Sequence, residues 1–569
     1  MSDIRRSILW VIFGFSMILL WDRWQIHNGQ PATFFPSGTP PKTAAPAAAA
    51  PGTDVSTPTA TAPAAYGASG VPAPAATPAV RQRHTVRTDV FELTLDSEGG
   101  SLVGARLLKH AAETGKALQK SFTPLELLTT EGGRLYVAQT GLIGQGGLPT
   151  HKTPMRLIEP ADTGPIALPD GQDRLVLRFE SEPQGGVVLS KTYTLRRHSY
   201  LIEVQHEVRN IGDAPVQARL YQQLVRDGLK AGSETPFYTT FTGPAVYSEA
   251  AKYQKVEFAD IDKGKIDIQR QAPDGYVAMV QHYFTSAWLL PAGMQRENFV
   301  RKVDNLYAVG QIGPDMAIAP GAAQAMASQL YVGPQEEKVL EAIAPGLELV
   351  KDYGWLTILA KPLYWLLEKI YGLVGNWGWA IVLLVVLIKA AFYWLNASAY
   401  RSMAKMKAIN PRIMEMRERL KNNPQLMQQE MMKLYREEKV NPLGGCFPIL
   451  IQIPVFIALY WVLLASVEMR NAPWIGWIVD LSSPDPYYVL PIVMALSTLV
   501  QTALNPLPPD PLQAKLMWLM PLIFSVMFFF FPAGLVLYWI VNNVLTIAQQ
   551  AYINHTLGVP LKFNLPQFK

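Results

Sequence analysis

Apolar residues are distributed unevenly along this chain. Long runs with almost no charged residues lie near the N-terminus and in the C-terminal third, whereas apolar and polar residues alternate in the middle. Runs of about 18 or more apolar residues are typical of membrane-spanning helices, and a period of two is typical of strands with one buried face. The pattern therefore predicts a polytopic α-helical membrane protein that carries a large all-β domain.

The alternating region covers residues 81–333 and predicts a β-sandwich. Phe91, Leu93 and Leu95 alternate with polar residues, and turn sequences such as Pro169-Asp170-Gly171 separate the runs. Helical periodicity is scarce here, as expected for a large sandwich. Further alternating runs are Arg174–Phe179, Gly186–Leu195, Tyr200–Val208 and Val216–Leu224.

The first 80 residues predict an anchor followed by a linker. In residues 1–26, an apolar stretch follows Arg5 and Arg6 and ends without a small-residue cleavage site, so we expect an uncleaved membrane helix. Residues 27–80 are rich in Pro, Ala, Thr, Gly and Ser, with almost no large apolar side chains. Such a composition predicts a flexible linker.

Helical periodicity begins in residues 334–375, which predict an amphipathic helix. Lys361, Glu368 and Lys369 lie off its apolar face. We expect the helix to lie in the outer membrane–water interface because Trp and Tyr accompany it, and packing against the β domain is the alternative. The apolar face consists of Leu363, Leu366, Leu367, Ile370, Tyr371 and Val374.

Residues 376–552 contain apolar runs that predict five membrane-spanning helices. A helix of about 19 residues covers about 28 Å, close to the thickness of the hydrocarbon layer. Together with the N-terminal anchor, the predicted total is six spans, followed by a tail over 553–569. The approximate bounds of the five are 377–395, 447–466, 488–504, 515–530 and 534–552.

Positive charge predicts the orientation in the membrane. The loop Asn396–Asn441 contains ten Lys and Arg residues, whereas the loop Val467–Tyr487 contains only Arg470. Loops rich in Lys and Arg remain in the cytoplasm. We therefore expect a bacterial inner-membrane protein with both termini in the cytoplasm and the β domain in the periplasm.

The basic loop predicts a helical hairpin over residues 411–439. Asn410-Pro411 and Asn423-Pro424 each look like an N-cap followed by proline in the first turn, so helices are predicted over Pro411–Lys421 and Pro424–Lys439. Met427, Met431 and Leu434 form a stripe on the second helix. This stripe either receives varied apolar segments, since methionine packs adaptably, or packs the hairpin on itself.

Lys389 is the one charged residue of the five spans that lies away from their edges. The spans contain no Asp, Glu or His to pair with it. A charge at lipid depth is costly unless it pairs, faces water or reaches the interface. A hydrated cavity and a snorkelling lysine are therefore the alternatives. Other polar residues that either line a surface around Lys389 or connect helices are Gln452, Ser497, Thr498, Gln501, Asn542, Asn543, Thr546 and Gln549.

Composition and motifs argue against catalysis. The 569 residues carry a net charge of +5 and one cysteine, Cys446, so no intramolecular disulfide can form. No Walker A sequence occurs, and His206-Glu207 lacks a second His at zinc-site spacing. We expect no enzyme, no cofactor, no metal and no sequence-specific recognition of nucleic acid. The alternatives kept are a solute or ion transporter or channel and a membrane-anchored periplasmic enzyme or binding protein for sugars.

Several long motifs resemble the YidC/Oxa/Alb family of membrane protein insertases. The resemblance is strong from Asp352 to about Tyr552, and the Gram-negative layout matches along the whole chain. It implies a five-helix insertase core with a hydrophilic groove, open to cytoplasm and lipid and closed toward the periplasm, and a periplasmic β-supersandwich. The motifs are Tyr400–Met406, Asn441–Pro448 with Gln452 and Pro454, Asp485–Tyr488 and Phe531–Trp539.

The resemblance also implies partners and site residues. The partners are nascent membrane proteins, the ribosome, the Sec translocon and membrane lipid. Lys389 occupies the position of the family's groove arginine, and lysine keeps the charge but loses the planar fork that binds two acceptors. For the aromatic residues, an interfacial belt is the alternative. The implied residues are Lys389 for the groove charge, Gln452, Ile453, Phe456, Tyr538, Trp539 and Asn542 for polar and client contacts, and Trp477 as a structural aromatic.

Overall fold

The computed structural model describes residues 81–113, 122–160, 165–229, 240–420, 423–438, 447–505 and 511–556, together with residues 558 and 563. The anchor predicted over 1–26, the linker over 27–80 and most of the tail over 553–569 lie outside the described residues. The described residues up to Lys351 belong to one compact unit, and those from Asp352 onward belong to a second.

The first unit is built from β-strands. In chain order they are β1 (Arg83–Arg87), β2 (Phe91–Asp96), β3 (Ser101–Ala111), β4 (Pro124–Leu128), β5 (Tyr136–Gly144), β6 (Met155–Glu159), β7 (Ile166–Ala167), β8 (Arg174–Ser181), β9 (Val187–Arg196), β10 (Leu201–Asn210), β11 (Val216–Asp227), β12 (Gly243–Ser248), β13 (Lys252–Lys255), β14 (Gln271–Ala272), β15 (Tyr276–Gln281), β16 (Phe284–Leu289), β17 (Arg296–Val303), β18 (Leu306–Ile318) and β19 (Ala323–Pro334).

These strands form two sheets. One has the order β14-β17-β18-β11-β5-β3-β2-β1-β7, with β4 beside β3, and the other has the order β13-β12-β15-β16-β19-β10-β9-β8-β6. The β1–β7 pair is parallel, whereas the β10–β19 pair, like the other pairs, is antiparallel. Phe91, Leu93 and Leu95 are buried on β2, as the alternation predicts. The predicted β-sandwich is confirmed.

Polar side chains also connect the two sheets through the interior. The amine of Lys191 on β9 donates to the carbonyl oxygens of Gly99 (2.6 Å) and Thr140 (2.7 Å), which belong to the opposite side of the sandwich. Tyr193 donates to the carbonyl of Gly100 at 2.6 Å. Complete burial lowers the pKa of Lys191 to about 7.

The helices lie mostly in the second unit. The first unit contains α1 (Phe258–Asp262) and α2 (Glu337–Ile343) and the 3₁₀ turn Leu347–Val350. The second contains α3 (Thr357–Val374), α4 (Trp377–Ala391), α5 (Tyr393–Arg419), α6 (Pro424–Glu437), α7 (Phe447–Ala465), α8 (Val489–Leu504), α9 (Pro511–Met527) and α10 (Ala533–Thr556), with 3₁₀ turns at Gly354–Leu356, Val467–Met469 and Phe528–Phe530.

The region predicted as one amphipathic segment, 334–375, is divided between the two units. Leu340 of α2 and Leu347 are fully buried in the same core cluster as Tyr276 of the β domain. Residues up to Lys351 therefore complete the β domain, and the amphipathic helix is α3 alone. Helical periodicity marks both parts alike, so the pattern by itself did not separate them.

The buried face of α3 is rotated from the predicted one. The hydroxyl of Tyr364 donates to Glu468 Oε1 at 2.5 Å, which draws this residue inside, whereas Val374 at the other end of the predicted face is exposed. Gly375 ends the helix with φ 66°, a conformation that favours glycine. The residues that α3 buries are Ala360, Tyr364, Leu367 and Ile370.

Among the described residues, length and composition identify no single helix that would cross a membrane. The helical segments Trp377–Ala391 and Tyr393–Ser402 are long and apolar enough when taken together, but the chain bends by 63° between them. The helix predicted over 377–395 therefore ends at Ala391, and Gln549 donates to the carbonyl of Tyr393 (3.4 Å) beside the bend. Shorter apolar helices cover Gln452–Ala465, Val489–Leu504 and Lys515–Phe530.

The hairpin differs from the prediction at its first helix. No helix begins at Pro411, because this residue lies inside α5. Ile409 and Ile413, on either side of the proline, are buried together against α6, and this packing maintains one continuous helix. The second helix, α6, begins at Pro424 with Asn423 as its N-cap, as predicted. Met431 and Leu434 of the predicted stripe pack in the hairpin's own core.

Candidate functional site

Lys389 lies in the last turn of α4 and is 9% exposed. Its Nζ donates a hydrogen bond of 2.8 Å to Thr546 Oγ1 on α10. The hydroxyl of Thr546 in turn donates to the carbonyl oxygen of Asn542 at 2.6 Å. Within the described part of the chain no carboxylate pairs with Lys389. The carbonyl oxygens at the C-terminal end of α4 also favour a cation there.

Asn542, Thr546 and Gln549 form a polar stripe along α10. Their spacing of four and three residues places them on one face of the helix. Asn542 Oδ1 accepts a hydrogen bond of 3.3 Å from Gln452 on α7. Lys389, Gln452, Asn542 and Thr546, which the sequence analysis named as polar residues of the predicted spans, are therefore brought together. We call these four residues the polar cluster.

A second set of polar residues connects α10 to α8. Asn543 donates to Ser497 Oγ (3.0 Å) and to Thr498 Oγ1 (2.9 Å). Asn543 is buried, and its neighbour Asn542 points to a different face of the helix. Of the two predicted roles for these polar residues, this geometry favours attachment of one helix to another.

The predicted aromatic residues form one cluster around Phe456 of α7. Its ring lies 4.7 Å from that of Trp539, nearly perpendicular to it, and 5.6 Å from that of Tyr538. Tyr538 is only 4% exposed, so it contacts other protein side chains more than it offers a surface. Ile453, one turn before Phe456, is 44% exposed and presents an open apolar surface.

Trp477 lies in the loop between α7 and α8, away from the polar cluster. Its indole N–H donates to Asp485 Oδ1 at 3.1 Å. The same buried carboxylate accepts from the backbone N–H of Tyr487 (2.9 Å) and Leu490 (2.7 Å). Trp477 thus supports the turn that leads into α8.

The same loop packs on the beginning of α4. A Cβ atom on Gly378 would lie 2.1 Å from the ring of Trp474, so the loop rests directly on this glycine. Lys389 is eleven residues farther along α4, which corresponds to about 16 Å. The loop and the polar cluster therefore occupy opposite ends of the helix.

Two family models match this chain. The model described as the YidC periplasmic domain matches residues 83–366, and the one described as 60Kd inner membrane protein matches residues 369–558. The membrane protein insertase YidC of Cupriavidus necator is 54% identical over 561 residues, which is 98% of each chain. The chain belongs to the YidC family of membrane protein insertases.

Other YidC proteins have similar identities. The membrane protein insertase YidC of Ralstonia nicotianae is 53% identical over 566 residues, covering 98% of this chain and 99% of the relative. A crystal structure of an active YidC insertase with its first transmembrane domain resolved has 18% identity and a TM-score of 0.36, over 82% of this chain and 91% of that one.

Membership of the YidC family confirms the predicted function class, membrane protein insertion. It also identifies the β-sandwich as the periplasmic domain of an inner-membrane protein. The activity named for the relatives is not an enzymatic one. In the ranges that the structure describes, no three His, Cys, Asp or Glu side chains are grouped as a metal site requires.

Thr546 was named from the sequence among the polar residues that either line a surface around Lys389 or connect helices, but it is absent from the site residues that the family resemblance implies. The signal was present, because Asn542, Thr546 and Gln549 follow one another at helical spacing on one face of α10. Spacing alone does not show which neighbouring helix this face meets. The hydrogen bond from Lys389 identifies α4 as that neighbour.

Proposed function

We propose that this chain inserts transmembrane segments of other membrane proteins through a polar groove whose positive charge is Lys389. The proposal rests on one observation, the hydrogen bond of 2.8 Å between Lys389 and Thr546. Thr546 belongs to the polar stripe of α10. A lysine without a carboxylate partner at lipid depth requires polar neighbours and water. Such a site attracts the polar flank of a client helix.

The proposal includes six spans with both termini in the cytoplasm. Support comes from the ten Lys and Arg residues of the loop Asn396–Asn441, set against the single Arg470 of the loop Val467–Tyr487. The polar cluster then lies toward the cytoplasmic side, and the loop with Trp474 and Trp477 lies toward the periplasmic side. The groove is open toward the cytoplasm and closed toward the periplasm.

The driving force of insertion comes from the client. Lys389 attracts acidic residues of the flank that must cross, because charges in a groove bordered by protein and lipid are screened less than in bulk water. The client helix then moves into lipid past the exposed Ile453, and its burial contributes roughly 25 cal/mol per Å² of apolar surface. The membrane potential adds about 2.3 kcal/mol per charge per 100 mV. No nucleotide is needed.

The proposed partners follow from charge. The basic hairpin of α5 and α6 and the tail with Lys562 and Lys569 would face the ribosome, whose RNA attracts positive charge. The Sec translocon and membrane lipid are the other proposed partners. The protein inserts its clients either alone or beside the translocon.

Photo-crosslinking tests this function directly. A photoreactive residue is placed at Ile453 on α7 or, as a matched control, at Ile523 on α9, which is also an exposed isoleucine. Ribosomes carrying a stalled single-span client are then added to membranes. We expect the client to crosslink from position 453 and not from position 523. Equal crosslinking from both positions, or none from 453, would contradict the proposed path.

A further inference from the structure

The periplasmic domain contains a cleft of about 450 Å³ that the insertion mechanism does not use. Leu289, Leu290 and Ile343 form an apolar wall, and Glu249 and Asp274 supply two carboxylates. A cleft of this size is within the range of ligand-binding sites. All its lining residues belong to the first compact unit.

A buried arginine fixes the wall of this cleft. All five N–H groups of Arg296 have backbone carbonyl partners, at distances between 2.6 and 3.2 Å. These carbonyls belong to the two segments that border the cleft, Pro273–Gly275 and Leu290–Met294. Because every donor is used, the guanidinium holds the two segments together and offers no further hydrogen bond to a ligand.

A second set of contacts fixes the segment that carries Ile343. Gly346 lies against the ring of Tyr247, where an added Cβ would come within 2.3 Å of the ring. The hydroxyl of Tyr276 donates to the carbonyl of Gly346 at 2.8 Å, and the rings of Tyr276 and Tyr247 are stacked. The segment with Ile343 is therefore held in place before any ligand binds, which reduces the entropy cost of binding.

Two carboxylates line the cleft, and Lys252 and Arg296 lie close to them outside the lining. Its lining includes Glu249 and Asp274 and no Lys, Arg or His. Glu249 already contacts Lys252 and accepts from Tyr247 at 2.9 Å, whereas Asp274 accepts one hydrogen bond, from the backbone N–H of Glu249 (3.0 Å). A carboxylate has room for about four such bonds, so Asp274 retains capacity for a cationic donor.

We propose that this cleft binds a short extended polypeptide segment that places a lysine or arginine on Asp274 and an adjacent apolar side chain against Leu289, Leu290 and Ile343. The carboxylate of Asp274 and the apolar wall then each contact a complementary group of the ligand. A free polyamine leaves the apolar wall uncovered, and an uncharged apolar molecule leaves the unused acceptor positions of Asp274 without a donor. The site is independent of the groove around Lys389.

Binding is measured on the full-length protein in lipid nanodiscs by fluorescence anisotropy at low salt. The probe is a labelled pentapeptide, Gly-Leu-Lys-Leu-Gly, and its matched control carries glutamine in place of lysine. Three variants are compared with the natural chain. Asp274→Asn removes the charge, Ala327→Trp fills the cleft, and Asp213→Asn removes an exposed acidic residue outside it.

We expect the lysine peptide to bind about threefold to fivefold more tightly than the glutamine peptide, as expected for one partly exposed ion pair. Asp274→Asn should remove this difference, Ala327→Trp should abolish binding of both peptides, and Asp213→Asn should change neither. Equal binding of the two peptides to the natural chain, unchanged binding to Ala327→Trp, or no binding at all would overturn the proposal. Equal competition by putrescine would identify a free amine as the ligand and would also overturn it.

Discussion

Lys389 of α4 and Thr546 of α10 are joined by a hydrogen bond of 2.8 Å between the amine and the hydroxyl. The two residues are 157 positions apart in the chain, so the bond attaches the first helix of the described core to the last. It fixes the direction of the only charged side chain that lies away from the edges of the five predicted spans. The following predictions start from this contact and proceed to the rest of the chain.

Replacing the Thr546 hydroxyl should weaken insertion. Thr546→Val keeps the shape of the side chain but removes the partner of Lys389, and a hydrogen bond to a charged group contributes about 1.5–3 kcal/mol. We expect insertion to slow by roughly tenfold if about half of this free energy contributes to the interaction between the groove and the client. The measurement is the rate at which a single-span client becomes protected from protease in vesicles.

Two variants serve as controls for Thr546→Val. Thr546→Ser retains the hydroxyl and should retain activity. Thr502→Val makes the same change on α8, where the hydroxyl bonds only to the carbonyl of Thr498 in its own helix, and should have little effect. If Thr546→Ser is as slow as Thr546→Val, the hydroxyl does not act through Lys389.

The bond between Tyr364 and Glu468 should hold α3 in place. Tyr364→Phe removes the hydroxyl that donates to Glu468 at 2.5 Å, at a cost of about 1–2 kcal/mol. Backbone amides of α3 should then exchange with deuterium roughly tenfold faster. Tyr371→Phe is the control, because the stacking of this ring on Trp377 at 4.0 Å does not need the hydroxyl. Equal exchange in both variants would contradict this role.

The hairpin should depend on apolar packing more than on its ion pairs. Ile413 is buried between α5 and α6, so Ile413→Ala should cost about 2–5 kcal/mol. Arg419 pairs with Glu430 at 2.7 Å, but its side chain is largely exposed, and Arg419→Ala should cost at most about 1 kcal/mol. Chymotrypsin should cleave the hairpin faster only in Ile413→Ala. The reverse order would show that charge holds the hairpin together.

The stability of the β domain should depend on pH through Lys191. Burial lowers its pKa from 10.5 to about 7, so the folded chain loses this proton near pH 7 while the unfolded chain keeps it up to about pH 10.5. The unfolded state binds more protons in this window, and the free energy of unfolding therefore rises with pH, by at most about 1.4 kcal/mol per unit. Below pH 7 the cost of burying the charge is fully present.

Urea unfolding of residues 81–351 between pH 6 and 10 measures this effect. Lys191→Met should lack the rise, and the exposed Lys263→Met should retain it. A rise that persists in Lys191→Met would assign the pH dependence to another group.

The local pattern of apolar and polar residues in the sequence was sufficient to predict much of the fold. On β2 the alternation of Phe91, Leu93 and Leu95 translates directly into a buried face, since the period of a strand is fixed by its geometry. Asn423-Pro424 likewise marks the start of α6, because the capping interaction involves only neighbouring residues. Lys389, Gln452 and Asn542 were also identified in advance, as polar residues in apolar runs.

Features that depend on contacts between residues far apart in the chain could not be predicted from the local sequence pattern. Asn410-Pro411 resembles the same cap, yet the packing of Ile409 and Ile413 on α6 keeps α5 continuous. Beside the bend after Ala391, Tyr393 accepts a hydrogen bond from Gln549, and the inward-facing Tyr364 donates to Glu468; both partners are more than 100 residues away in the chain. Periodicity identifies the face of a helix, but a tertiary contact decides which neighbour the face meets.

The charge of Lys389 is tested most directly in a strain depleted of its own insertase and complemented with variants. Two single-span clients are compared by protease accessibility, one with aspartates in its translocated tail and one with asparagines at the same positions. Lys389→Ala should slow the aspartate client by about tenfold and the asparagine client far less, while Lys389→Arg should support both. Normal insertion of the aspartate client by Lys389→Ala would contradict a groove that works through this charge.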